Sequence, residues 1–358
     1  MEKWVVTAKK ADFQEIGRKY GIDPVIARII RNRDITGDEA IEEYLNGTLA
    51  DIPSWKLLKD IDKAVEIISG KIDAGTKIRI IGDYDIDGVT ATYILLKGFK
   101  RLGANADTYI PDRVADGYGI HDHLIQKARE DGIDTIVTCD NGISASAQIA
   151  YAKELGMTVV VTDHHEVPFT DTEKGRSYLL PPADAIINPK QPDCTYPNKN
   201  ICGAVVAMKL VFALYQKYKI PEIEKEDFLE PAAIATVGDI MDLQGENRIL
   251  VKEGLARLPY TKNKGLKALI RAIGLEDQKI SSYDIGFRLG PCINASGRLD
   301  TAMRSLALLQ SEDETEAAKL AGDLKALNDS RKALTEKGTE EAYHLIDNSE
   351  LKNDKVMV

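Results

Sequence analysis

KIRIIGDYDIDG (77–88), TIVTCDNG (135–142) and TVVVTDHH (158–165) share one design: a short apolar run that ends in a turn rich in carboxylates. Around them lie GVTATYILLKGFKRLG (88–103), HDHLIQKARED (121–131) and SASAQIAYAKELG (144–156). Their apolar residues recur at helical spacing, and they stop at Gly103, Gly132 and Gly156. ADTYIPD (106–112) supplies one more strand. Strands that alternate with helices predict an α/β fold on a doubly wound parallel sheet. In such a sheet ligands bind beyond the carboxyl ends of the strands, where this sequence keeps its aspartates and histidines.

Working outward, residues 1–70 read as a lead-in of short helices. TGDEAIEEYLNG (36–47) carries Thr36 and Glu39 at capping-box spacing. The sheet domain spans 71–310, with a Pro- and Asn-rich loop over 177–200 around one strand, AIIN. Helices are expected over 203–218 and 226–237, and 238–310 is mixed. From Ser311, which forms a second capping box with Glu314, a 3–4 spacing runs through Ala317, Leu320, Leu324, Leu327 and Leu334. This predicts one connector helix over 311–346, ~54 Å long at 1.5 Å per residue.

The 358 residues suit about two domains. A content of 44% hydrophobic and 29% charged residues excludes disorder and collagen-like repeats. No apolar run approaches the ~20 residues of a membrane span, and MEKWVVTAKKADF lacks the layout of a signal peptide. Cys139, Cys194, Cys202 and Cys292 show no CxxC spacing, which argues for a reduced, cytoplasmic protein and against a cysteine zinc site. The net charge of −10 disfavours coating nucleic acid through bulk charge, and suits a protein that gathers carboxylates around cations.

The strand ends carry Asp83, Asp85 and Asp87; then Asp140; then Asp163, His164 and His165. VGDIMDL adds Asp239 and Asp242 after an apolar helical stretch. Neighbouring parallel strands would bring these groups to one rim, where like charges repel unless a cation sits among them. Carboxylates with imidazoles ligate Mn²⁺, Mg²⁺, Fe or Zn, and the oxygen-rich balance favours Mn²⁺ or Mg²⁺. The ligands outnumber what one ion needs, so two ions bridged by a carboxylate are expected, the arrangement that drives in-line attack on phosphorus. A single strand-end aspartate is more often a turn former; three such ends on successive strands are not explained that way. Cys139 sits where a buried strand residue belongs, not a nucleophile.

GDYDIDGVTATYIL, PDRVADGYGI, TCDNGIS, VTDHHEVP, TVGDIMDLQGENR and GPCINASGRL, in this order, resemble the DHH phosphoesterase superfamily, and within it the RecJ family of single-stranded-DNA-specific exonucleases. The likeness runs from about residue 50 to the end. It implies metal ligands at Asp83, Asp85, Asp87, Asp140, His164, His165 and Asp239, with Asp163 orienting a histidine from behind. Which aspartate of the first motif bridges the ions stays open, and Asp87 has the alternative of supporting the turn at Gly88. The resemblance places Arg113, on a loop, and Asn294, Ser296 and Arg298, in a Gly-rich turn, against the DNA backbone or terminal phosphate; a structural ion pair is the other reading of the arginines. Tyr118 has two readings, base stacking and packing.

The implied activity is 5′→3′ hydrolysis of single-stranded DNA in repair and recombination, with two Mn²⁺ or Mg²⁺ ions as cofactors. The implied protein is a cytoplasmic monomer that works with single-stranded-DNA-binding protein and a helicase, away from membranes. A phosphodiesterase for short RNA oligomers or cyclic dinucleotides, and a replication scaffold without ions, are the rival readings. Residues 347–358, ending NDKVMV, read as the start of a truncated DHHA1-type domain, so a weak grip on long strands is expected.

Overall fold

A computed structural model describes residues 9–117, 119–173, 175–349, 352 and 355. Its centre is a five-stranded parallel sheet made of β1 (Lys77–Ile81), β2 (Asn105–Tyr109), β3 (Thr135–Cys139), β4 (Thr158–Thr162) and β7 (Ala185–Ile187), in the order β2-β1-β3-β4-β7. The doubly wound expectation holds. β1, β3 and β4 each stop just before an acidic turn that carries Asp83, Asp140 and Asp163 respectively. An exposed antiparallel hairpin, β5 (Phe169–Thr172) with β6 (Gly175–Tyr178), follows β4 and has no apolar pattern that would announce it.

The helices are α1 (Phe13–Tyr20), α2 (Pro24–Asn32), α3 (Asp38–Asn46), α4 (Ile61–Asp73), α5 (Ile86–Arg101), α6 (Asp122–Glu130), α7 (Ser146–Glu154) and α8 (Gly203–Lys217). After them come α9 (Leu229–Gly238), α10 (Gly245–Arg257), α11 (Lys264–Ala272), α12 (Ser282–Asp284), a π-helical turn (Ile285–Leu289), α13 (Gly290–Leu299), α14 (Met303–Gln310) and α15 (Glu314–Asp347). Side chains alternate across the sheet with the strand period of two. Val137, Cys139 and Val160 face one core with residues of α4, α5 and α8; Ile136, Val159 and Val161 face another with Ile125 and Ala128 of α6 and Ile149 and Ala152 of α7. Both faces are thus covered, as a parallel sheet requires. Ile30, Ile35, Ile41 and Tyr44 make a small separate core in the N-terminal helices.

Two caps differ from expectation. Gly37, not Thr36, is the N-cap of α3, and no side chain caps it. The N-cap of α15 is Asp313, whose carboxylate accepts from Glu316 N–H, while Ser311 Oγ donates to Glu316 Oε2. The first half of α15 buries Ala317, Ala321, Leu324 and Asn328 against α11, α13 and α14. Its second half is exposed, Leu334 included. The segment read as the start of a further domain, 347–358, lies for the most part outside the described residues. All four cysteines are buried free thiols. Among the described residues no helix is long and apolar enough to cross a membrane.

Candidate metal centre

The turn after β1 is held by its own carboxylates. Asp85 is the N-cap of α5, and its Oδ1 accepts from the N–H groups of Asp87 (2.9 Å) and Gly88 (3.0 Å). Asp85, not Asp87, therefore supports the turn at Gly88. Asp87 reaches across to α8, where its oxygens accept from Gly203 N–H (2.6 Å) and Ala204 N–H (2.8 Å). Two free donors and the positive end of a helix dipole pin that carboxylate. From α13, Asn294 Oδ1 accepts from Ile86 N–H at 2.7 Å, so its carbonyl is spent on holding this turn.

After β3 the chain turns through Asp140, whose φ of 60° is left-handed. Aspartate tolerates that conformation better than most residues. Helix α8 leaves it no spare room: a Cβ on Gly203 would lie 2.7 Å from Asp140 Cβ. After β4, Asp163 is saturated. Its Oδ1 accepts from His164 N–H (2.7 Å) and His165 N–H (3.1 Å) and lies 2.8 Å from His165 Nδ1; its Oδ2 accepts from Ile143 N–H (2.9 Å). Burial alone would raise the Asp163 pKa, but the bonds from His165 and Ile143 outweigh it and leave it below the ordinary value. The same bond raises His165. Asp239 arrives from another direction, as the C-cap of α9.

These ends converge. His164 Nε2 lies 3.1 Å from Asp140 Oδ1, 3.5 Å from Asp87 Oδ2 and 3.6 Å from Asp239 Oδ2. Three overlapping sets each bring their ligand atoms within 4.8 Å of one another: Asp140, His164 and His165; Asp87, His164 and Asp239; Asp83, Asp85 and Asp140. Asp140 stands between the histidine set and the set from the first motif, the position a bridging carboxylate needs.

A divalent cation fits this donor set. Asp83 Oδ1, Asp140 Oδ1, Asp239 Oδ2 and both ring nitrogens of His164 are buried, and among the described residues none has a hydrogen-bond partner. Orphans of this kind are rare, and each costs about 1–3 kcal/mol when nothing compensates it. Five in one cluster mark a place shaped for something else. The titrations agree. Burial, then the charge of Asp85, pushes Asp83 up to about 7. Burial, then the charges of Asp87 and Asp85, pushes Asp239 up to about 7. Asp140 and Asp85 are raised by the same causes, and burial lowers His164.

Arg113 and Arg298 are exposed, and no ion pair is seen for either among the described residues. The Arg113 guanidinium lies 5.1 Å from the centre of the Tyr84 ring, beside Asp83. Ser296 is a correction. Like Asn294 and Arg298 it lies in α13, so none of the three is in a Gly-rich turn; Ser296 is fully buried with its hydroxyl bonded to Ser305 Oγ (2.7 Å) and Ile293 C=O (3.1 Å), so it cannot touch a substrate. The glycines around it serve close packing: a Cβ on Gly297 would lie 2.3 Å from Tyr84 C=O. Tyr118 lies outside the described residues. Asp242 is exposed and outside the three sets. Cys139 is buried with its thiol pushed up to about 12, which excludes it as a nucleophile. The role of Gly203 and Ala204 was missed; a glycine at a helix start, in ICGAVV, is the only local sign of it.

Residues 77–236 match the DHH family, N-terminal domain. The chain is 36% identical over 357 residues to the single-stranded-DNA-specific exonuclease RecJ of Bacillus subtilis, covering 99% of this chain and 44% of that protein. Against the RecJ of Escherichia coli it is 36% identical over 344 residues, covering 93% and 57%. The chain thus spans about half the length of these curated relatives. Among solved structures, exonuclease RecJ bound to manganese is similar with a TM-score of 0.70 and 35% identity, covering 79% of this chain and 69% of that one. RecJ of Thermus thermophilus in complex with Mn²⁺ is similar with a TM-score of 0.75 and 32% identity, covering 92% and 45%.

Proposed function

The chain belongs to the RecJ family within the DHH proteins, and on that premise we propose that it is a metal-dependent nuclease that hydrolyses phosphodiester bonds of single-stranded DNA from a 5′ end. The observation that carries the reading is the knot of orphaned buried carboxylate and imidazole atoms at the carboxyl edge of the sheet. Asp83, Asp85, Asp87, Asp140, His164, His165 and Asp239 would hold two Mn²⁺ or Mg²⁺ ions, with Asp140 shared between them. Bound there, such ions supply the Lewis acidity that activates water and steadies a leaving oxygen.

The chain's own residues do the rest. Asp163 takes the Nδ1 proton of His165 in a hydrogen bond, which leaves the lone pair on Nε2 and fixes the ring. The N-terminus of α8 holds Asp87 in place through two backbone donors. Arg113, laid on Tyr84, and Arg298 present planar guanidinium groups that match phosphate oxygens. The same reading includes 5′ polarity, a setting in repair and recombination, a cytoplasmic monomer, and partnership with single-stranded-DNA-binding protein and a helicase; these are part of the proposal and rest on family likeness and, for the cytoplasm, on the scattered cysteines.

The test is digestion of 5′- and 3′-labelled single strands with Mn²⁺, Mg²⁺ or EDTA, beside a five-residue RNA. Release of label from the 5′ end first, in Mn²⁺ or Mg²⁺ and not in EDTA, is expected. Hydrolysis of the short RNA alone would shift the reading to an oligonucleotide phosphodiesterase, and no hydrolysis in either metal would overturn it.

A further inference from the structure

The five strands of the parallel sheet end in an ordered pattern of charge. The three inner strands, β1, β3 and β4, run into the carboxylates of Asp83, Asp140 and Asp163. The two edge strands run into cations: Arg113 follows β2, and Lys190 follows β7. All five strands point the same way, so both cations stand at the rim that carries the metal cluster, one on each flank.

The backbone of Lys190 is tied to that of His165. β7 pairs with β4, and Asp163 N–H donates to Ile187 C=O at 3.0 Å. The next residue, Asn188, is fully buried; its Nδ2 donates to His165 C=O (3.0 Å), and its Oδ1 accepts from Lys190 N–H (2.8 Å). Such an Asx turn fixes the chain locally, and Pro189 inside it removes one backbone freedom. The Lys190 ammonium lies 3.0 Å from Oε1 of Glu166, the residue after His165. The glutamate side chain is 86% exposed, so the pair is weak and the ammonium can change partner at small cost. Its charge is felt inside the cluster. Burial lowers His164, and Lys190 acts in the same direction; burial and Asp87 raise Asp239, and Lys190 opposes them. A cation at this distance repels metal ions, so holding metal does not account for it.

We propose that Lys190 is a further catalytic residue, whose ammonium leaves Glu166 and donates to a non-bridging oxygen of the phosphoryl group under attack. This rests on the nuclease reading above. Attack of water on phosphorus gathers negative charge on those oxygens, and a donor fixed beside them stabilises the transition state more than the ground state. The lysine transfers no proton and forms no covalent bond. A compact ammonium needs one oxygen where a guanidinium fork takes two, which suits a phosphoryl group whose other oxygens face the cluster. With Arg113 on the opposite flank, the phosphates of the strand would cross the rim between two cations. In a chain of net charge −10, local cations of this kind must supply the attraction that bulk charge does not.

Cleavage of a short 5′-labelled oligothymidylate is followed in Mn²⁺ with the protein in excess, which separates the rate constant of bond breaking from the half-saturating concentration. Lys190→Ala should lower the rate constant by on the order of 100-fold and change half-saturation by less than about 3-fold. Lys190→Arg should recover part of that loss, and Lys190→Gln should not. Glu166→Gln should lower the half-saturating concentration by up to about 5-fold, because the ammonium no longer has a carboxylate to leave. In isothermal titration at pH 8, Lys190→Ala should bind Mn²⁺ at least as tightly as the wild type, since a repelling charge is gone. Its melting temperature in EDTA should stay within about 2 °C of the wild type. A near-normal rate constant in Lys190→Ala, a loss confined to half-saturation, or a loss accompanied by weaker Mn²⁺ binding overturns the catalytic role. Each leaves the nuclease reading standing, because the wild type still cleaves. A wild type that cleaves nothing in Mn²⁺ or Mg²⁺ overturns both.

Discussion

Replacing Asp83 by asparagine should make the metal-free protein more stable and the metal-bound protein less so. Asp83 is buried, carries an orphaned oxygen, and has its pKa pushed from 3.8 up to about 7 by burial and by Asp85. A carboxyl raised in the folded state contributes its full relative stability below the unfolded value, near 3.8, and loses it as pH climbs through about 7. At pH 8 the ionised form therefore costs about 4 kcal/mol relative to a neutral group. Asparagine escapes that cost but needs partners for its amide, so about 2 kcal/mol of net gain is expected. For a chain of this size that raises the melting temperature in EDTA by about 3 °C. The gain should shrink as pH falls, vanish near pH 5, and reverse below about 4, where the carboxyl is protonated in both states and only the amide's cost remains. Excess Mn²⁺ should reverse the order, since a ligand at 100 times its Kd stabilises the wild type by about 2.7 kcal/mol and the variant lacks a donor. Calorimetric melts at pH 8 and pH 5, with EDTA or Mn²⁺, read all of this. A variant that melts below the wild type in EDTA at pH 8, or an equal rise of both proteins in Mn²⁺, would refute the reasoning.

Asp140→Ala and His164→Ala should each cut hydrolysis by at least about 100-fold with the circular-dichroism spectrum intact, and EDTA should do the same to the wild type; near-normal rates in Mn²⁺ would remove these residues from the site. Asp163→Asn should weaken Mn²⁺ binding by about 10- to 100-fold in isothermal titration, because the His165 ring loses the group that orients it. Arg113→Ala or Arg298→Ala should weaken single-strand binding and lower the salt slope by about 0.7 per lost contact, with metal content unchanged. Gly203→Ala forces a methyl into Asp140 Cβ, so a loss of about 1–3 kcal/mol in denaturant melts together with poorer Mn²⁺ binding is expected, and a variant indistinguishable from the wild type would count against the close approach of α8.

The strands and their acidic ends were legible because their signals are local. An apolar run of five residues, a turn of Asp, Asn and Gly, and a helix closing on Gly103 or Gly156 each follow from propensities over a few residues. Parallel pairing of such strands then puts Asp83, Asp140 and His164 on one rim, whatever the details of packing. Caps were less legible: the N-caps are Gly37, with no side-chain bond, and Asp313, whose carboxylate accepts from Glu316 N–H, not Thr36 and Ser311.

What only the tertiary structure decided involves partners far apart in the chain. Asp87 is bound by Gly203 and Ala204, and Ile86 by Asn294, so the first motif is held by helices whose approach no local pattern encodes. Ser296 looked like part of a turn because glycines surround it, yet Gly290 and Gly297 are there to let α13 close on Ile86 and Tyr84, which buries the serine. Ile240 reads in sequence as one more apolar residue after a helix; its left-handed backbone and exposed side chain exist only once α9 is stopped against the metal cluster. Short-range propensity determines which residues turn. Long-range packing decides which of those turns are satisfied, and which are left with atoms that want a ligand.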